Sequence, residues 1–280
     1  MSIRSTPEET APRTSPGASL ELRGITVVRG GRPVVKDVTI PVPAGEVTAL
    51  LGPNGAGKSS LVLAVGGVLR PRPGSVSLNG TELVGRRPEK IRAAGVAIVP
   101  EGRRLLPDLS VDDNLRVATY ALSKEAAAAG RARALELFPR LRERLTVPAR
   151  LLSGGEQQMV VLAQALVSQP KYLLIDELSL GLAPVIVNQL IPVIQAVADS
   201  GVGVLLIEQF ATVALSLATG AHIMEGGVLR YSGTGEELKT RPELLQSAYL
   251  LRGSDIEAST VLDEAGLTEP GQDGGAGGPE

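Results

Sequence analysis

The sequence predicts an α/β fold: a mainly parallel sheet at the core, flanking antiparallel strands, and an inserted helical subdomain. Three observations predict it. First, VTALLG (47–52), GVAIVPE (95–101), YLLIDE (172–177) and VGVLLIE (202–208) are short apolar runs, each finishing in a glycine or polar cluster. Continuous runs of that length and branched character are strands covered on both faces, the habit of a parallel sheet. Second, helical segments separate these runs. Third, residues 103 to 150 carry no strand pattern and include an Ala-rich, helix-prone stretch, so they are read as a helical subdomain inserted into the core.

Taken in order, residues 1 to 18 are rich in Pro, Ser and Thr and are expected to be disordered. LELRGITVV (20–28), with apolar alternation continuing from Val34 to Val42, predicts the flanking antiparallel strands. A helix begins after VTALL. In the insert, Ser110 with Asp113 resembles a capping box, and KEAAAAGRARALELF is Ala-rich and helix-forming despite Gly130. Further helices run from about Gly155 to Ser168, stopped by Pro170, and from about Pro184 to Ser200. The Gly- and acid-rich tail, residues 254–280, is again expected to be disordered. That leaves one domain over 19–253, with its helical subdomain at about 103–150 and no internal repeat.

The 280 residues suffice for one large α/β domain with a smaller insertion. Aromatics are only 2%, so Leu, Val, Ile and Ala must fill the core. Lys+Arg 28 against Asp+Glu 30 leaves a formal charge of -2, which argues against bulk electrostatic binding to nucleic acid. The absence of Cys excludes disulfides, thiolate nucleophiles and zinc-thiolate sites. The opening MSIRSTPEETAPRTSPGAS has no apolar h-region, so no secretory signal is expected. Met159 to Val167, broken by Gln164, falls far short of the roughly 20 residues of a spanning helix, so the chain is not expected to cross a membrane.

GPNGAGKS, Gly52 to Ser59, matches G-x-x-x-x-G-K-S/T and follows the predicted strand VTALL. Glycines supply unusual backbone angles and leave N–H groups exposed to phosphate, while the following helix directs its positive end at the anion. Gly52, Pro53, Asn54, Gly55, Ala56, Gly57, Lys58, Ser59 and Ser60 are therefore the expected nucleotide-binding residues. Lys58 would reach the β- and γ-phosphates and Ser59 would ligate Mg²⁺. The bland alternative is a Gly-rich turn before a helix; strand before and helix after favour phosphate. The predicted core is thus that of a P-loop NTPase.

LIDELSLGLAP (174–184) ends a buried strand on two adjacent acids, Asp176 and Glu177. Like charges at such a point need a cation, a proton or water. Asp176 can hold Mg²⁺ through water beside the phosphate loop, and Glu177, pointing elsewhere, can orient and deprotonate an attacking water. An N-cap acid followed by a surface acid is the alternative. In LLSGGEQQM (151–159), Ser153, Gly154 and Gly155 stand at a helix start and form a second anion site, with Glu156 in the first turn. One nucleotide rarely needs two helix termini from one chain, so a dimer is expected in which each chain's turn caps the other's phosphate. Structurally, the same residues are a turn with a Ser cap.

GPNGAGKS, LSGGEQQ and LLIDE, in that order, resemble the ATP-binding subunit of ABC transporters, over about Leu20 to Arg252. More narrowly, VAIVPEGRRLLPDLSVDDNL (96–115), ELFPRLRERL (136–145), SLGLAP (179–184), the IEQ of 207–209 and the SAYL of 247–250 are similar to one ATPase subunit of branched-chain amino acid importers, whose relatives serve other amino acids, amides or urea. The resemblance implies ATP and Mg²⁺ as cofactors. It implies a metal set of Ser59, Asp176 and Glu101, catalysis by Glu177 with Gln209, Arg29 at the adenine, and Ser153 to Glu156 on the partner chain's ATP. It also implies docking of the helical part, and of the segment beginning at Glu101, on membrane-spanning permease subunits. A second ATPase subunit, identical or different, would pair with the chain, a solute-binding protein would act indirectly, and the chain would be peripheral on the cytoplasmic face of the cell membrane.

Several positions depart from the general family pattern. Glu101 replaces a Gln, Gln209 a His and Ala183 an Asp, all three familiar in the amino acid importer subunit. Arg29 replaces an aromatic that stacks on adenine, and a guanidinium can also stack on a π-face. Leu178 stands where Pro is usual, a change expected to loosen that turn, and Gln164 stands where Arg is usual. The lone His222 is expected to be structural. Two competing functions are an ATP-binding regulatory subunit with weak hydrolysis, and a soluble ABC-type ATPase acting on ribosomes or DNA. One P-loop, no sustained heptads and no basic surplus disfavour the latter.

Overall fold

A computed structural model describes residues 19–241 and 243–245. The expected disordered segments, the SAYL motif and the upper end of the expected domain lie outside the described residues.

Among the described residues, ten strands form two sheets. β1 (Ser19–Arg29), β2 (Arg32–Pro43), β4 (Ser75–Leu78) and β5 (Thr81–Glu82) make an antiparallel sheet in the order β2-β1-β4-β5. The central sheet has the order β10-β9-β3-β8-β7-β6, from β3 (Val47–Leu51), β6 (Val96–Val99), β7 (Tyr172–Asp176), β8 (Gly203–Glu208), β9 (Gly220–Glu225) and β10 (Val228–Thr234). All its pairings are parallel except β9 with β10. The four apolar runs are its four middle-to-edge strands β3, β8, β7 and β6, as predicted.

Those runs are continuously apolar because both faces are covered. Val47, Ala49 and Leu51 of β3, with Val204 and Leu206 of β8, face one cluster; Leu50, Leu205 and Ile207 face the other. The first cluster packs under α5 (Gly154–Leu166), α6 (Pro184–Asp199) and α7 (Ala211–Leu217), and the second under α1 (Lys58–Val65) and the antiparallel sheet. The register then sets the strand ends in a row, with Leu51 beside Glu208, Asp176 beside Ile207 and Val99 beside Ile175. Ligand sites of open parallel sheets lie outside such carboxyl ends.

The insert carries α3 (Val111–Ala118) and α4 (Lys124–Leu137). Ser110 accepts from the Asp113 N–H, as the sequence suggested, and Arg131 of α4 pairs with Asp112 of α3 at 2.5 Å. Gln164 answers its own departure from the family pattern: its Nε2 donates to the Asn114 carbonyl at 3.0 Å and binds α5 to α3. The elements β4, β5, α2 (Pro88–Ala94), α7, β10 and α8 (Gly235–Thr240) were not anticipated. The β4–β5 hairpin does have a sequence signal: Asn79-Gly80, both at positive φ, is the two-residue turn that matches strand twist.

Candidate functional site

The loop from Gly52 to Gly57 leaves the end of β3 and turns into α1. Gly57 sits at φ 110, and a Cβ there would come within 2.3 Å of the Val34 carbonyl oxygen. At Gly52 a Cβ would meet the Met224 carbonyl oxygen at 2.1 Å. The loop therefore threads between β2 and β9, and no larger residue fits at either place. Lys58 opens α1 and is 4% exposed, with its Nζ donating to the Gly52 and Pro53 carbonyl oxygens at 2.6 and 3.1 Å. Burial pushes its pKa down, against the fields of Glu177 and Asp176. Ser59 and Ser60 share the first helical turn.

Asp176 ends β7, only 5% exposed, and its buried Oδ1 has no hydrogen-bond partner among the described residues. Burial raises its pKa; a Ser59 hydrogen bond opposes that, while the Glu101 charge adds to it. Asp176, Ser59 and Glu101 line one cavity of about 790 Å³. Glu177 lines a second, of about 390 Å³, with Gln158 and Arg103. The two adjacent acids thus serve different spaces. Burial and then Glu101 raise the Glu177 pKa. A buried carboxylate oxygen without a donor, beside a second carboxylate and a hydroxyl, suits a hard oxygen-seeking cation.

Glu177 has the left-handed φ of 58, which a non-glycine residue holds only under constraint. Its N–H donates to the Ile207 carbonyl at 2.9 Å. Leu178 is fully buried in the core, so the turn expected to loosen without proline is pinned by packing instead. Two further holds escaped the sequence reading. Glu208 takes hydrogen bonds from the Ser179 N–H and Oγ at 3.0 and 2.8 Å. Arg103 donates to the Leu180 and Gly181 carbonyls at 3.2 and 3.1 Å. For Glu208 the signal was present: a carboxylate closing an otherwise apolar buried strand.

Ser153 caps α5 in a full capping box, accepting from the Glu156 N–H at 3.3 Å while its own N–H donates to Glu156 Oε2 at 2.9 Å. Arg144 also binds Glu156, at 3.0 Å, and the Ser153 backbone hydrogen bond leads the causes that lower the Glu156 pKa. The Ser-cap reading therefore holds, yet Ser153 remains exposed at the surface. The cap employs the N–H of Glu156, and a helix start leaves those of Gly154 and Gly155 without intrahelical partners. Neither cavity at the phosphate loop and acids includes Ser153 to Glu156. Arg29 lies exposed at the end of β1, opposite Arg32, with no side-chain hydrogen bond or ion pair among the described residues. Gln209 directly follows β8, beside Glu208. His222 is buried in β9 with its Nδ1 2.9 Å from Ser232 Oγ, a structural position as expected.

A family model described as ABC transporter matches residues 35–179. The chain is 43% identical to the high-affinity branched-chain amino acid transport ATP-binding protein BraG of Pseudomonas aeruginosa, over 76% of this chain and 91% of that one. It is 33% identical to the probable branched-chain amino acid transport ATP-binding protein LivF of Archaeoglobus fulgidus, over 73% and 87%. Among solved structures, an ATP-binding subunit of an ABC transporter superposes with a TM-score of 0.71 at 29% identity, covering 89% of this chain and 99% of that one.

Proposed function

The chain belongs to the ABC transporter family of ATP-binding proteins, and on that premise we propose that it is the ATP-hydrolysing subunit that energises an importer of branched-chain amino acids. One observation carries the catalytic part. At the carboxyl edge of the parallel sheet, Asp176 with its unpartnered Oδ1 stands next to Glu177 on a constrained turn, facing the buried cation of Lys58. The names of the two bacterial and archaeal relatives support the solute class.

Lys58 grips the β- and γ-phosphates and Arg29 stacks on the adenine. Ser59 and Asp176, with Glu101, would hold Mg²⁺, which when bound neutralises phosphate charge. Glu177 orients the attacking water and takes its proton, helped by a pKa that burial has raised. Gln209 donates a hydrogen bond to the γ-phosphate and, being an amide, carries no titrating charge. Ser153 to Glu156 complete the site of a second ATPase subunit, a reading the surface exposure of Ser153 supports.

The cavity of about 790 Å³ lies between the core and the insert and is lined by the exposed apolar residues Val68, Val117 and Tyr120, as well as Glu101 and Arg104. It is the docking place for a permease segment, which puts closure of the ATPase pair in contact with solute access. No helix among the described residues is long and apolar enough to cross a membrane. Docking on the permease would place the chain at the cytoplasmic face.

The test is Glu177→Gln in this chain only, followed by single-turnover ATP hydrolysis in the assembled transporter. Removing the base should slow hydrolysis by roughly 10²- to 10⁴-fold. An unchanged rate would assign the chemistry to the sister subunit. Uptake of labelled leucine, competed by isoleucine and valine but not by urea or amides, checks the solute.

A further inference from the structure

Two successive residues at the end of β8 hold the catalytic turn, and a third comes directly after them. Ile207 accepts the Glu177 N–H at 2.9 Å, Glu208 accepts both the N–H and the hydroxyl of Ser179, and Gln209 follows at once. Glu208 is 1% exposed. Leaving a carboxylate there is unfavourable, since an apolar side chain of similar volume would complete the buried strand without desolvation. What the carboxylate alone can do is accept two hydrogen bonds from one residue of a neighbouring loop. That loop carries Glu177 two residues earlier, in a left-handed conformation that needs outside restraint.

The geometry points to Glu208 as a positioning residue for ATP hydrolysis: it clamps Ser179 so that the orientation of Glu177 is tied to that of Gln209. Glu208 does not touch the reacting atoms. Through the clamp, a shift of the 179–183 loop reaches the γ-phosphate end of β8, and a shift of Gln209 reaches the base. Neither coupling depends on the solute. The inference rests on the chain hydrolysing ATP, and it deepens that reading by naming what holds the base in place.

The experiment measures steady-state ATPase of the assembled transporter carrying Glu208→Ala, Glu208→Gln, Ser179→Ala, or both alanines. Misplacing a catalytic group by about 1 Å can lower a rate by roughly 10²-fold, so Glu208→Ala should lower kcat by at least about tenfold. KM for ATP should stay within about threefold, because the phosphate loop is untouched. Glu208→Gln should restore most of the rate, its amide oxygen accepting from the Ser179 N–H and its NH₂ donating to the Ser179 hydroxyl. Ser179→Ala, a small change at a loop, keeps the test alive should Glu208→Ala fail to fold; it should lose several-fold in kcat. The double variant should be no slower than Glu208→Ala, as members of one clamp are non-additive. Wild-type kcat in Ser179→Ala and Glu208→Gln alike, with losses in Glu208→Ala tracking KM or the folded fraction, would overturn the clamp. A wild-type complex without ATPase would instead overturn the function itself.

Discussion

The ammonium of Lys58 and the carbonyl oxygen of Gly52 lie 2.6 Å apart, so the lysine braces the loop from which its own helix springs. A second bond reaches Pro53 at 3.1 Å. These carbonyls are neutral acceptors for a buried cation whose pKa burial has already lowered. A triphosphate offers charged acceptors to the same group, and charge-assisted hydrogen bonds are the stronger ones.

Lys58→Ala should therefore remove most of the ATP affinity. Hydrogen bonds to charged groups contribute about 1.5–3 kcal/mol each, so losing two weakens binding by roughly 10²-fold or more. Calorimetry on the isolated chain checks this. Nanomolar-to-micromolar binding in the variant would contradict the assignment of the loop.

Ser153→Arg separates the two halves of a shared site. Ser153 is exposed and lies outside both cavities at the phosphate loop and acids, so a larger cation there should leave ATP affinity of the isolated chain within about threefold. Loss of the cap costs about 1 kcal/mol, too little to unfold the chain. Closure of the ATPase pair should fail, and hydrolysis by the complex with it. Normal hydrolysis would count against a seam between two subunits.

The parts legible in the sequence were those where one physical demand fixes residue type over a run. β3, β6, β7 and β8 had to be apolar on both faces, and the phosphate loop had to be glycine where Val34 and Met224 press on it. The parts not legible were set by tertiary partners. The strands β4 and β5 are too short for alternation to register, and α2 buries only Ile91. Leu178 was a liability by local turn chemistry and became an anchor through burial. Gln164 and Glu208 gained meaning only from Asn114 and Ser179, 50 and 29 residues away.

The chain's one histidine should shape its acid stability. Burial holds the His222 pKa at about 4, below its ordinary 6.5. With the folded value depressed, the unfolded chain takes the proton first as pH falls. Stability from this group is thus complete above pH 6.5 and is lost between 6.5 and 4, by about 3 kcal/mol in all. His222→Asn, which keeps a polar atom near Ser232 Oγ, should flatten that decline in thermal unfolding between pH 7.5 and 4.5. Asp176, Glu177 and Glu208 have raised pKa values and act oppositely, but equally in both proteins, so the difference isolates the histidine. A lone imidazole proton resonance titrating near 6.5 would refute the assignment.

Gly130 presents a case where helix propensity and packing disagree in sign. In an exposed helix interior, Gly→Ala stabilises by about 1 kcal/mol. In α4, however, a Cβ at Gly130 would lie 1.9 Å from the carbonyl oxygen of Val167, the residue that caps α5. No rotamer change relieves a clash between Cβ and backbone, so one helix must move. Overpacking of this kind costs about 1–3 kcal/mol, which exceeds the propensity gain. Gly130→Ala should accordingly lower the melting temperature by a few degrees, at about 2–4 °C per kcal/mol for a domain of this size. The displacement would run along α5 to the Ser153 turn at its other end, so ATP hydrolysis by the complex should fall although no residue of the nucleotide site has changed. A higher melting temperature with full activity would show that α4 and α5 do not meet at Gly130.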